Sequence, residues 1–171
     1  SWSKWDNIGG TNGEYDGFVQ KNVRLRLSWA VAIPEWTSSV DEEDMEDLAN
    51  VVRTFYSYDP HGNVTSVIHD IPVNSYPDSD ANSAGRLIKR IDYHYDHSTG
   101  NVTAIDFQPE KDDRFQHRYT FDLSGRLKYV ETSRNGVMWD RDIVYDYNLD
   151  GSLRRETIGE DSVQGRDYIY T

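Results

Sequence analysis

The chain has 171 residues, 36% of them hydrophobic, with no cysteine and a formal charge of −12. That length can build one sizeable core, and the missing cysteine removes disulfides and thiolate metal sites. The 30 acidic residues against 18 basic ones argue against nucleic acid, whose phosphates such a surface repels unless a basic patch exists. No apolar run approaches the roughly 20 residues a membrane helix needs, so no membrane span is expected.

Residues 1–50 read as an N-terminal lead-in. Residues 1–17 are rich in Gly and Asn and suggest irregular structure. Then Val23, Leu25, Leu27, Trp29, Val31 and Ile33 alternate with Arg24, Arg26, Ser28, Ala30 and Ala32. This period of two predicts one long strand over about 22–34, closed by Pro34 and lying at a sheet edge. The acid run of residues 41–47 reads as a solvated loop or a single helical turn.

Residues 51–171 repeat one phrase with a period in the twenties to thirties: aromatic, any residue, aromatic, Asp or Asn, a short turn, Gly, then a branched aliphatic. The copies are Tyr56-Ser57-Tyr58-Asp59 with Gly62 and Val64, and Tyr93-His94-Tyr95-Asp96 with Gly100 and Val102. Two more are Tyr119-Thr120-Phe121-Asp122 with Gly125 and Leu127, and Tyr145-Asp146-Tyr147-Asn148 with Gly151 and Leu153. A fifth opens at Tyr168-Ile169-Tyr170. The chain begins without Met and ends inside a repeat, which reads as a piece of something longer.

Each copy predicts a β-hairpin. Leu87, Ile91, Tyr93 and Tyr95 alternate with Ile88, Arg90, Asp92 and His94, and about nine strands are expected over 51–171. Asp accepts a hydrogen bond from the backbone two residues on, and Gly supplies the left-handed residue after a type I turn. The aliphatic two places beyond each Gly starts the return strand. Between hairpins, residues 70–85 and 159–164 read as polar links, and Asn135-Gly136 as a tight two-residue type I′ turn. The fold class is therefore all-β: antiparallel hairpins in a curved sheet strip. Tyr combines apolar area with a polar tip and suits faces that border water. The paired tyrosines read as cross-strand packing partners, and stacking on sugars is the alternative use of the same rings.

Other chemistry has a thinner basis. Asp146, Asn148 and Asp150 before Gly151 match the opening of a calcium loop, but the twelfth position is Thr157 instead of Glu. The same residues already explain a hairpin turn, so no metal is expected. His94 lies on a strand face and His97 in a turn, so with Asp96 they do not predict a ligand set. Asp112-Asp113 and the pair Asp140 and Asp142 are carboxylates in a chain full of them, and they mark no catalytic pair. Asn63-Val64-Thr65 and Asn101-Val102-Thr103 fit the glycosylation acceptor pattern, yet both occupy the slot that follows the turn Gly. Neither a nucleophile elbow nor a phosphate loop occurs. The expectation is a protein without catalytic residues or cofactor.

The phrase resembles the RHS/YD-repeat family, named for the Tyr-Asp pair and a following Gly-Arg-Leu. Tyr58-Asp59, Tyr95-Asp96 and Gly125-Arg126-Leu127 carry the match, while Phe121-Asp122 and Tyr147-Asn148 depart from it. The resemblance covers about 120 residues, and its specificity rests on repetition. It implies a β-strip that spirals into a hollow shell, as in bacterial polymorphic toxins, insecticidal toxin complexes and teneurins. It also implies secretion or a cell-surface location, and partners in the rest of the shell and its enclosed C-terminal segment. A cell-surface module that binds carbohydrate or protein through exposed aromatics is the alternative. Nothing here resembles the core region that closes the shell, a self-cleavage site or a toxin domain. An incomplete strip leaves two strand edges open, so the isolated segment is expected to self-associate through them.

Overall fold

A computed structural model describes residues 18–32, 51–72, 86–159 and 164–170 of the chain. Every described element is a strand or a connection between strands. They are β1 (Trp29–Ala32), β2 (Val52–Tyr58), β3 (Val64–Pro72), β4 (Arg86–Tyr95), β5 (Val102–Phe107), β6 (Phe115–Phe121), β7 (Leu127–Ser133), β8 (Asp140–Tyr147), β9 (Leu153–Ile158) and β10 (Gln164–Asp167). The fold is all-β: ten antiparallel strands in one open sheet, with spatial order equal to sequence order. Nine of these strands, β2 to β10, lie in the repeat region, as the alternation predicts. The aliphatics Val64, Val102, Leu127 and Leu153 each open a return strand.

By contact the chain divides into two compact units, Ser1–Asp92 and Tyr93–Thr171. In the first unit, Trp29 and Ile68 both sit opposite Phe55 in the ladder. Phe18 closes over that face, so Phe18, Phe55 and Ile68 form a dry cluster with Trp29 and Ile88 against it. Residues 18–28 also cap the open edge of β2. The carbonyls of Ser28 and Lys21 take the N–H groups of Tyr56 and Tyr58 at 3.0 Å each. The Gln20 side chain donates to the Ser28 and Tyr56 carbonyls.

This arrangement corrects the strand expected over 22–34. β1 starts only at Trp29, and Asn22 and Leu25 take left-handed φ values of 54° and 60°. Arg26 N–H donates to the Val23 carbonyl, closing a turn. The alternation failed because Arg26 and Leu27 serve Tyr58 instead of a strand neighbour. Arg26 stacks on the Tyr58 ring, and the Leu27 carbonyl accepts its hydroxyl. Leu25 is left fully exposed. Residues 33–34, the acid run 41–47 and residues 1–17 lie outside the described residues.

In the second unit no described apolar side chain is fully buried; the residues most hidden from water are Glu131, Thr132 and Ser133. One face carries Phe107, Phe115, His117 and Tyr119, with His117 edge-on to both phenylalanines and stacked on Tyr119. The tight Asn135-Gly136 turn is also corrected. β7 ends at Ser133 and β8 starts at Asp140, so the connection is a longer loop. Asn135 lacks the positive φ that a type I′ turn requires; only Gly136 has it, at 72°. Side chains hold the loop instead: Ser133 Oγ accepts from Gly136 N–H, and Asn135 Oδ1 accepts from the N–H groups of Val137 and Met138.

Candidate functional site

The repeated phrase builds a repeated turn. In the first, third and fourth copies, Asp59, Asp122 and Asn148 donate N–H to the carbonyls of Asn63, Arg126 and Ser152. The turn glycine three places on donates back to the same Asp or Asn. The second copy, one residue longer, closes from Asp96 to Asn101 and from Gly100 back to Asp96. Gly62, Gly100, Gly125 and Gly151 all have positive φ, between 75° and 102°. That left-handed conformation is costly for a residue with Cβ.

In the first three turns the Asp side chain is the staple, whereas in the fourth Asn148 donates its side-chain amide to Ser152 and Asp150 accepts from Ser152. Asp59 Oδ1 accepts from the N–H groups of Gly62 and Asn63 at 2.7 and 2.9 Å. Asp96 Oδ1 takes the Ser98 hydroxyl and N–H, and Asp122 takes the N–H groups of Ser124 and Arg126 and the Arg126 Nε. These bonds favour the charged carboxylate. The Ser98 hydroxyl holds the Asp96 carboxyl below its ordinary range, and the Arg126 N–H does the same for Asp122. At Asp59 partial burial pushes upward, but the bonds from Asn63 and Gly62 outweigh it.

Beside three of these turns lies a bulge that the sequence phrase did not announce. Thr65, Lys128 and Arg154, each three places past the turn glycine, have no cross-strand partner in the register. Such an extra residue bends the strand and increases its twist.

The structure also gives the Gly-Arg-Leu triplet a task. The Arg126 guanidinium lies 4.5 Å from the centroid of Tyr147, the second aromatic of the next repeat. The Leu127 carbonyl accepts the Tyr147 hydroxyl at 2.8 Å. Arg26 and Leu27 treat Tyr58 in the same way, at 5.5 Å and 2.7 Å. The fourth repeat is thus latched to the third, and the first to the lead-in, by a ring under a guanidinium and a hydroxyl on a carbonyl. The third copy carries Phe121, which has no hydroxyl to offer, and the preceding slot holds Asn101-Val102. A repeated Arg-Leu ahead of each latched Tyr was the signal available in the sequence; the strand-like alternation of 22–27 hid it. Burial pushes the hydroxyls of Tyr58, Tyr119 and Tyr147 above their usual range.

The remaining candidates are dispersed. Across the ladder Tyr56 faces Val67, Tyr119 faces Val130 and Tyr145 faces Glu156. These tyrosines meet aliphatic or acidic partners instead of each other. Tyr93 and Tyr95 are part of β4, whereas Tyr168 and Tyr170 fall beyond β10, with Tyr170 exposed. Only the Tyr168 N–H continues the ladder, to the Arg154 carbonyl. The calcium-like residues do not converge: Asp146 pairs with Arg154 at 3.8 Å, while Asp150 and Asn148 both bind Ser152. Among the described residues no group of three or more His, Asp or Glu side chains could hold a metal ion. His94 pairs with Asp106 at 2.9 Å, away from the exposed turn residue His97. Of the two glycosylation-like asparagines, Asn63 gives its side-chain amide to Asp59.

Neither a family model nor a curated protein matches this sequence. Among solved structures, the chain is similar to one in "Crystal Structure of TcdB2-TccC3-Cdc42", with a TM-score of 0.53 and 17% identity. The likeness covers 70% of this chain and 6% of that one. At that identity it is a likeness of fold. No helix among the described residues is long and apolar enough to cross a membrane.

Proposed function

We propose that this chain is a structural segment of an RHS-type β-shell that encloses or presents a C-terminal toxin, without catalytic residues or cofactor of its own. The observation that carries the reading is the latch. The turn recurs in every hairpin and the bulge in three, and the Arg126–Tyr147 contact seats the fourth hairpin on the third as the Arg26–Tyr58 contact seats the first on the lead-in, which is the economy of a repeat wall. The fold likeness to a stretch of a TcdB2–TccC3–Cdc42 chain supports it. The partners are then further repeats of the same wall and the segment behind it, and the location is extracellular or cell-surface. Open strand edges make self-association the behaviour to expect of the segment alone.

The test is limited proteolysis of the full-length protein, followed by mass spectrometry of the surviving pieces. A wall predicts a C-terminal segment that resists protease and becomes digestible after mild denaturation. Immediate cleavage of that segment, or its absence, ends the reading. A second reading, a surface module that binds glycan or protein, draws on the half-exposed row of Phe107, Phe115, His117 and Tyr119. It requires a ligand whose binding is lost when those rings are truncated.

A further inference from the structure

Each unit holds one acid between two arginines on neighbouring strands, and the two sites are finished differently. In the first unit Asp70 is 1% exposed and pairs with Arg86 and Arg53. A further Arg86 N–H group, on Nη2, goes to main-chain carbonyls, those of Val51 and Asp70. In the second unit Glu131 takes Arg118 Nε and Nη2 at 3.0 and 2.7 Å and Arg141 Nη2 at 3.2 Å. Arg118 lies 4.2 Å from the Trp139 ring centroid, and Arg141 lies 4.3 Å from that of Tyr129. Both arginines stay open to water, with side chains 45% and 48% exposed. Arg118 Nη1 and Arg141 Nε and Nη1 donate to nothing among the described residues.

We propose that the Arg118–Glu131–Arg141 face of the second unit is a docking site for an extended acidic peptide, whose carboxylates and carbonyls take the spare guanidinium N–H groups. A hidden, paired charge is weak evidence for stability, because its desolvation offsets the attraction. Here Glu131 belongs to the most hidden stretch of a unit that has no buried apolar side chain among its described residues. What Glu131 does supply is orientation: each guanidinium is fixed by a carboxylate oxygen and by a ring. Arginines held this way lose little freedom on binding a carboxylate. Two arginines against one glutamate also leave a locally positive spot on a chain of charge −12, which complements an acidic partner.

A peptide fits better than an acidic sugar for two reasons. The covered site in the first unit fills spare arginine N–H groups with main-chain carbonyls. In addition, a face of Trp139 and of Tyr129 on which a sugar would stack already carries a guanidinium.

The experiment titrates the intact chain into a fluorescently labelled peptide of Asp and Glu and follows anisotropy. Saturable binding that weakens with added salt is expected. Arg141→Gln should lower affinity about tenfold, and Arg141→Lys should recover only part of it. Leu149→Ala, a fully exposed turn residue, should leave affinity unchanged, and circular dichroism melts show that each variant is folded. Absent binding, or equal affinity in Arg141→Gln, overturns the proposal. Displacement of the peptide by polygalacturonate at lower concentration overturns it in favour of a sugar site. None of these results bears on the wall reading, which the proteolysis experiment decides separately.

Discussion

The two units share one strand chemistry and differ in how water is excluded from it. In the first, residues 18–28 cap the edge of β2 and place Phe18 over Phe55 and Ile68, both nearly inaccessible to solvent. In the second, the strands are half-exposed along their length, and the deepest residues are polar. Hairpins with the same turn staples therefore exist with and without a dry core. The difference shows that turn chemistry and latches set the ladder, while apolar burial depends on what lies over it. A sheet that is hydrophobic on one face must bury that face against another element. The second unit has the apolar row of Phe107, Phe115 and Tyr119 but nothing described above it.

The largest expected contrast comes from truncating apolar side chains. Phe55→Ala should destabilise the first unit by about 3–5 kcal/mol. Ile143→Ala, half-buried between Val130 and Ile158 in the second, should cost about 1–2 kcal/mol. Urea denaturation resolved by hydrogen exchange measures both, and equal losses would erase the distinction. Next come the acids. Asp70→Ala removes the carboxylate that pairs with buried Arg86 and should cost about 3–5 kcal/mol. Glu131→Gln should cost about 1–2 kcal/mol, because its arginines can turn to water.

Turn glycines sharpen the comparison within the second unit. At Gly125, with φ 77° and open space around an added Cβ, Ala should cost about 1 kcal/mol through the backbone alone. At Gly136, with φ 72°, the Cβ would meet only the flexible ends of the Arg114 and Gln116 side chains, which can move aside, so Ala should also cost about 1 kcal/mol through the backbone. Thermal melts of the two variants should show similar losses, and a much larger loss at Gly136 would show that those side chains cannot move. The latch is no larger: Tyr58→Phe and Tyr147→Phe each remove one hydroxyl bond to a carbonyl, worth about 1 kcal/mol. A loss in one variant only would show that the latch serves a single unit.

Acid has the most gradual effect. Burial pushes the Glu131 carboxyl upward, but hydrogen bonds and charge from Arg118 and Arg141 outweigh it and hold it below its ordinary value. The turn carboxylates Asp59, Asp96, Asp122 and Asp150 are also depressed. A folded pKa below the unfolded one adds stability that is complete above the unfolded value, roughly 4, and is lost as pH falls through the folded value. Melting temperature should hold steady above about pH 5 and drop below about pH 4. Glu131→Gln should make that drop shallower, and an unchanged slope would remove Glu131 from the account.

The hairpins were legible because their signals are local. Asp, Gly and a following aliphatic set each turn, and alternation marks each strand without reference to the rest of the fold. What escaped depends on partners far along the chain. The run from Val23 to Ile33 alternates like a strand, yet Tyr58, more than thirty residues later, recruits Arg26 and Leu27 and turns the backbone aside. Asn135-Gly136 resembles a tight turn, but Ser133 and Asn135 accept enough N–H groups to stabilise a longer loop. The Arg118–Glu131–Arg141 group joins three strands, and only the register Arg118–Glu131–Arg141 across β6, β7 and β8 brings it together. The register shift that brings Arg141 opposite Glu131 skips Asp142, and neither it nor the bulges at Thr65, Lys128 and Arg154 leaves a mark in the residue types.

The most direct test is hydrogen–deuterium exchange of the same peptides in this chain alone and in the full-length protein. A wall whose second unit is completed by its neighbours predicts much slower exchange of β5 to β9 in the full-length protein. β2 and β3, already covered by residues 18–28, should change little. Equal exchange of β5 to β9 in the two settings would contradict the account, because the second unit would then owe nothing to a surrounding shell.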